Sequence, residues 1–254
     1  MHSRSFPSTC AETSASLRRF HWLAAAVVAA LGIVLPPDAR AQSPGMSSPR
    51  NIIAGDPSAF VRSLATTRPP AISPERRALV MRSLPSNGEV EHLDASAIAK
   101  LSALRPLLDA TERESVYAIK VIDVPQSAIG IHGRAVVLIS VRALRLLSVE
   151  ELRATVAHEI GHEYVWAEHE GARLREDHQR LRQLELVCDA IAIATLHQLG
   201  MSTAALVSGL EKMIRFNRRH FGVSLKEKSY PPIGARRKFA REVEVWLGRA
   251  APAQ

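Results

Sequence analysis

The chain of 254 residues is 46% apolar and 23% charged, with a formal net charge of +8. That balance excludes a disordered or collagen-like chain, and two cysteines exclude a disulfide framework. The basic excess is scattered, densest at Arg215, Arg218, Arg219, Lys226, Lys228 and Arg236 to Lys238, and aromatic interleaving is sparse, so nucleic acid is not expected as a partner. A solvated basic face accounts for these charges, and peripheral association with an anionic membrane surface is compatible with them.

Taken in chain order, residues 1–41 read as a targeting segment. Arg18 and Arg19 precede an apolar stretch from Trp22 to Leu35, and Ala39-Arg40-Ala41 supplies small residues at a cleavage site. Fourteen apolar residues fall short of the roughly 20 that span a bilayer, so a cleaved signal is expected and an outward-facing membrane anchor is the alternative. Either way the remainder is exported, to the periplasm or outside the cell. Cleavage leaves 29 basic and 23 acidic residues, a charge of +6, and Cys188 as the one cysteine. A small buried hydrophobe is the expected role of Cys188.

Residues 42–75 hold Pro44, Pro49, Pro57, Pro69, Pro70 and Pro74 among small and polar residues and read as a largely irregular lead. A helix is predicted at 75–84. The spacing of Ile98, Leu101, Leu104 and Leu108 predicts helix over Asp94 to Leu108, interrupted at Pro106. Val116 to Val124 and Arg134 to Val141 are rich in β-branched residues and predict two adjacent strands, with Gly130 to Gly133 as the turn between them.

Ser148-Val149-Glu150-Glu151 is a capping box opening a helix in which Leu152, Val156 and Ile160 recur at helical spacing. Inside that helix lies His158-Glu159-Ile160-Gly161-His162, an HExxH motif. Positions i and i+4 share a helix face, so both imidazoles can reach one metal ion with Glu159 beside them. Two neutral imidazoles bind Zn²⁺ without cancelling its charge, a third protein ligand leaves the fourth tetrahedral position open, and Glu159 is placed to act as general base.

Val165 and Glu168 stand where a three-histidine site of the pattern HExxHxxGxxH needs Gly and His, and His169 is out of step. The predicted helix from Leu181 to Leu199 offers Glu185 and Asp189 one turn apart on an otherwise apolar stretch. Glu185 is the candidate third zinc ligand, and Asp189 the group that fixes a zinc histidine through its other ring nitrogen. The competing account puts both acids on a solvated helix edge, as for Glu176 and Asp177, and leaves Glu168 or Glu176 as the ligand. Ala204 to Arg218 and Ala235 to Leu247 predict two further amphipathic helices, with Leu206, Leu210, Met213 and Ile214, then Phe239, Val243 and Trp246, turned inward.

HEIGH at 158–162, Glu185 and Asp189 in the spacing E-x-x-x-D, the run Arg134 to Ser140, Leu-Ser-x-Glu-Glu-Leu at 147–152 and Tyr230-Pro231-Pro232-Ile233-Gly234-Ala235-Arg236 together resemble the HtpX, BepA and type-I CAAX prenyl protease family of zinc metallopeptidases. The resemblance covers roughly residues 116–247. It implies that His158, His162 and Glu185 bind one zinc ion per chain, that Glu159 is the catalytic base and that Asp189 orients a ligand. It also implies that Arg236 supports the catalytic groups. Tyr230 stands where the family commonly has His; its phenol could serve an oxyanion, or the two prolines could make a surface turn only.

The implied fold class is α+β, a helix-dominated zincin-like domain at 111–250 with a small sheet, behind a lead and N-terminal helical segment at 42–110. In zincins an edge strand beside the active-site helix pairs with extended substrate, and Ala135 to Ser140 is the expected edge. The expected function is a zinc endopeptidase whose partner is a protein or peptide substrate, unfolded or misassembled exported proteins by family analogy. The alternatives are a zinc-containing chaperone-like binder without efficient cleavage and a purely structural metal site.

Overall fold

In the computed structural model, residues 48–249 are described, apart from 68, 70–71, 85–89, 91, 112–116 and 223–227. The expected targeting segment 1–41 and Val116 therefore lie outside the described residues. The prolines of the supposed lead start helices. Helix α1, Pro49–Ala54, and α2, Pro57–Thr66, carry proline in the first turn behind N-caps Ser48 and Asp56, whose side chains accept from backbone N–H groups. Proline is pre-organised for that position because its missing N–H would have no helical partner there. This corrects the reading of 42–75 as irregular. Ile52, Phe60 and Leu64 are buried in the core, Phe60 meets Trp246 edge-on with ring centroids 5.4 Å apart, and Trp246 Nε1 donates to Gly55 O at 3.0 Å.

Helix α3, Pro74–Ser83, follows behind Ser73, and the segment predicted over 94–108 forms α4, Ala95–Ser102, and α5, Arg105–Ala110. The interruption falls at Ala103 and Leu104, and Pro106 occupies the first turn of α5.

Three strands follow instead of two. They are β1, Ala118–Ile122, β2, Ile129–His132, and β3, Val136–Ser140, in the order β1-β3-β2, with β3 parallel to β1 and antiparallel to β2. The turn predicted at Gly130 to Gly133 lies further on: Gly133 (φ 55°) and Arg134 (φ 61°) are both left-handed, and Ala135 N–H donates to His132 O at 3.0 Å. That is the twist a two-residue hairpin needs. Ala135 to Ser140 is therefore not an edge, because β3 lies between its neighbours, and the edges are β1 and β2.

Helix α6, Val141–Leu146, leads to α7, Val149–Tyr164, whose capping box is complete: Glu151 N–H donates to Ser148 Oγ at 3.2 Å and Ser148 N–H to Glu151 at 2.9 Å. Helices α8, Trp166–Leu174, α9, His178–Gln198, α10, Ala205–Phe221, and α11, Ile233–Gly248, complete an α+β fold dominated by helix. None of the helices among the described residues is long and apolar enough to cross a membrane.

Helix α9 is the hub, buried along nearly all of Leu184 to Leu196 and packed against α7, α8, α11 and α1. Of the residues expected inward on α10, Leu206 is buried while Leu210, Met213 and Ile214 are only half-buried. Helices α7 and α9 approach closely at Gly161, where an added Cβ would meet Cys188 O at 3.0 Å and its Cα at 3.1 Å. Gly161→Ala gains up to about 1 kcal/mol of helix propensity but overpacks a backbone contact, at a cost of roughly 1–3 kcal/mol. A lower melting temperature for Gly161→Ala, and a lower one still for Gly161→Val, is expected by circular dichroism. An unchanged Gly161→Val would show that the two helices are free to separate.

Candidate metal centre

Three helices and one strand edge converge on the HExxH segment of α7. From α7, one turn of helix separates His158 and His162, whose rings stand edge to face with centroids 5.0 Å apart. From α9 come Glu185 and Asp189, 4% and 1% exposed, so the account that set them on a solvated helix edge does not hold. Burial of two such acids demands partners. Arg236 of α11, itself buried, pairs with Glu185 and reaches Asp189 at 3.2 Å. His158 lies between the same two acids, its Nδ1 2.8 Å from Asp189 Oδ1, off the line of the ring N–H, and its Nε2 3.3 Å from Glu185 Oε2. The other oxygen of Glu185 is 3.6 Å from His162 Nε2.

The alternative acids are engaged elsewhere. Glu168 pairs with Arg180, and Glu176 is exposed in a left-handed turn (φ 53°) after α8. Asp177 caps α9 by accepting from Arg180 N–H at 2.9 Å. Tyr230, 43% exposed, sits in the turn that precedes α11 and is not part of the buried group.

Two residues to which the sequence analysis gives no metal role lie in this cluster. His169, on α8, stacks edge-on against His162 with centroids 5.1 Å apart, because the chain bends at Val165 between α7 and α8 and returns the ring to the site. Its phase could not be read from the motif without that bend. Cys188 Sγ is 3.5 Å from His162 Nδ1, and burial together with Glu185 and Asp189 pushes its thiol pKa well up. A neutral sulfur at that distance holds the His162 ring in orientation; an apolar neighbourhood in the sequence gave no sign of it.

Glu159 is half-buried and keeps an opening to solvent. The protein around it raises its carboxyl to about 7 by desolvation, partly offset by His158 and by a hydrogen bond from the Ile131 backbone. Ile131 lies on β2. Ser140 N–H donates to Ala128 O and Ala135 N–H to His132 O, so even-numbered residues of β2 face β3 and the N–H of Ile131 points to the free edge. That edge therefore borders Glu159.

The donor atoms form two overlapping sets, His158, Glu159 and His162, then His162, His169 and Glu185, each within 4.8 Å. Donors around a tetrahedral ion at about 2.0–2.1 Å stand roughly 3.4 Å apart; Glu185 Oε2 is 3.3 Å from His158 and Oε1 is 3.6 Å from His162, so the two histidines meet different oxygens of the carboxylate, and His158, His162 and Glu185 do not form one of the two sets. The buried His and Glu groups could thus hold a metal ion. In the metal-free protein burial disfavours charge on His158, but a carboxylate at each ring nitrogen outweighs it and raises the ring to about 10. Burial lowers His162 to about 3; burial also works to raise Glu185, but the His158 ring and Arg236 hold it well below the usual carboxylate range.

No protein-family model matches the chain, and no curated protein matches it in sequence.

Of the three candidate donors only His158 has a proton to surrender at neutral pH. A metal ion competes with that proton, so uptake releases at least this one proton and tightens as pH rises towards 10. Titration with a divalent metal between pH 6 and 8 is expected to show about a tenfold gain in affinity per pH unit. A flat profile would mean that His158 is neutral beforehand.

Proposed function

We propose that the chain is a zinc-dependent endopeptidase with a zincin-like fold, allied to the HtpX, BepA and type-I CAAX prenyl protease family that its motifs resemble. The observation that carries the reading is the placement of Glu159: a half-open carboxylate between two imidazoles of a candidate metal centre and the free edge of β2. A structural metal site needs neither a base nor an approach for substrate.

Zinc, when bound by His158, His162 and Glu185, would act as a Lewis acid on the scissile carbonyl and lower the pKa of a water molecule. The residues do the rest. An extended peptide pairs with the outward backbone groups of β2 at Ile129 and with the Ile131 carbonyl, which tolerates many sequences because main-chain groups carry the pairing. This assigns to β2 the task expected of Ala135 to Ser140. Glu159 takes the proton of the attacking water on its carboxylate and delivers it to the departing amine nitrogen. Asp189, 2.8 Å from Nδ1, would orient the ring of His158 by its charge. Arg236 holds both acids, and so positions Glu185 rather than touching substrate. The substrate class is protein or peptide, in an exported compartment.

Cleavage of an unfolded model protein by the zinc-loaded chain tests the reading. Glu159→Gln is expected to retain fold and zinc while kcat/KM falls by about 10²- to 10⁴-fold. Glu185→Ala is expected to weaken zinc retention beyond the roughly 10- to 100-fold typical of partners outside the ligand set. Zinc bound at one per chain with no cutting by either wild type or Glu159→Gln would favour a chaperone-like binding protein instead.

A further inference from the structure

Resting on the metal reading above, we infer that His169 is a fourth protein donor, which closes the centre on the flank of His162 and Glu185. A ring nitrogen of His169 falls within 4.8 Å of donor atoms of both residues, while His158 and Glu159 group with His162 on the other flank. The His162 ring thus has a histidine edge-on at each side, at 5.0 and 5.1 Å between centroids.

The neighbours of His169 on α8 explain why it turns inward. Glu168 is drawn off by Arg180 and Glu170 by Arg173, at 2.8 Å, so the two acids flanking it are committed to arginines. Among the described residues neither ring nitrogen of His169 has a hydrogen-bond partner. A half-buried imidazole with both nitrogens unengaged beside a donor cluster is available as a ligand. Bringing it from at most 4.8 Å to the roughly 3.4 Å that separates donors around one ion asks for a shift of no more than about 1.4 Å.

The chain also supplies the consequence. With four protein donors the centre resembles the closed sites that hold metal without reacting, and with three it has the open position that chemistry needs. A single histidine on α8, which is joined to α7 through one residue, Val165, sets which of the two prevails.

Cobalt(II) substitution reads the donor set directly. The full chain and its His169→Ala variant would be loaded with Co²⁺ and their visible absorption compared, with zinc affinity measured in parallel by competition against a chromophoric chelator. His169→Asn, which keeps a polar side chain of similar reach, serves as a second variant should alanine impair folding. Expected are one metal per chain in wild type and variants, a changed cobalt spectrum and a zinc affinity lowered without His169 by more than the roughly 10- to 100-fold typical of partners outside the ligand set. Free imidazole is expected to restore the wild-type spectrum to His169→Ala, which a packing role would not allow. A cobalt spectrum and zinc affinity indifferent to both substitutions would overturn the assignment of His169 and leave the three-donor centre standing. A wild-type chain that takes up no cobalt or zinc would overturn the metal reading itself, and this inference with it.

Discussion

Two carboxylates one turn apart inside an apolar helix constrain everything around them. Taking each ion out of water costs several kcal/mol even after the protein relaxes, so Glu185 and Asp189 can be buried on α9 only with cations in contact. Arg236 supplies one from α11 and His158 another from α7. The network thereby ties three helices at one level, and its members are distributed so that losing any one strands a charge. The close contact of Gly161 with Cys188 belongs to the same constraint, since without it α7 would stand too far from α9 for the His158 ring to lie between the acids.

The strand beside this network has a different logic. The β2 edge is not demanded by charge; it follows from a hairpin whose two left-handed residues, Gly133 and Arg134, reverse the chain within reach of the end of α7. Arg134 then pairs with buried Glu163 at 3.0 Å and lies over the Trp166 ring at 5.8 Å, which pins the hairpin to the junction of α7 and α8. A rigid tie at this point keeps the Ile131 N–H against Glu159. The sheet, Glu159 and the histidines are thus held in one frame by a second ion pair, separate from the first.

How much of this the sequence made legible depends on whether the deciding interaction is local. The α7 cap, the histidine spacing and the acids of α9 are repeats of three or four residues, and helical geometry alone turns them into a face. Arg236 came only through resemblance, and its partners 47 and 51 residues away could not be read from spacing. His169 depended on a bend at Val165 that carries neither Gly nor Pro, so no local signal announced it. The helices at 49–66 were missed because proline was taken as a breaker, when behind Ser48 and Asp56 it starts a helix. Strand order was misjudged for a related reason: four residues of β2, with Gly130 among them, look like a turn until their pairing with β3 is known.

The charge balance of the centre links these parts to its chemistry. Without metal, Arg236 and a protonated His158 balance Glu185 and Asp189, and burial favours the neutral form of Glu159 by raising its carboxyl to about 7. Exchanging the His158 proton for a divalent ion adds one positive charge to a site that is already neutral. The nearest group able to answer is Glu159, because Glu185 is held ionised and His162 is neutral. An added positive charge a few ångströms away favours its carboxylate form. On the proposed reading, metal occupancy and the ionisation of Glu159 are coupled through one network: the ion that would need a proton acceptor beside it is also the charge that would favour the carboxylate form of Glu159.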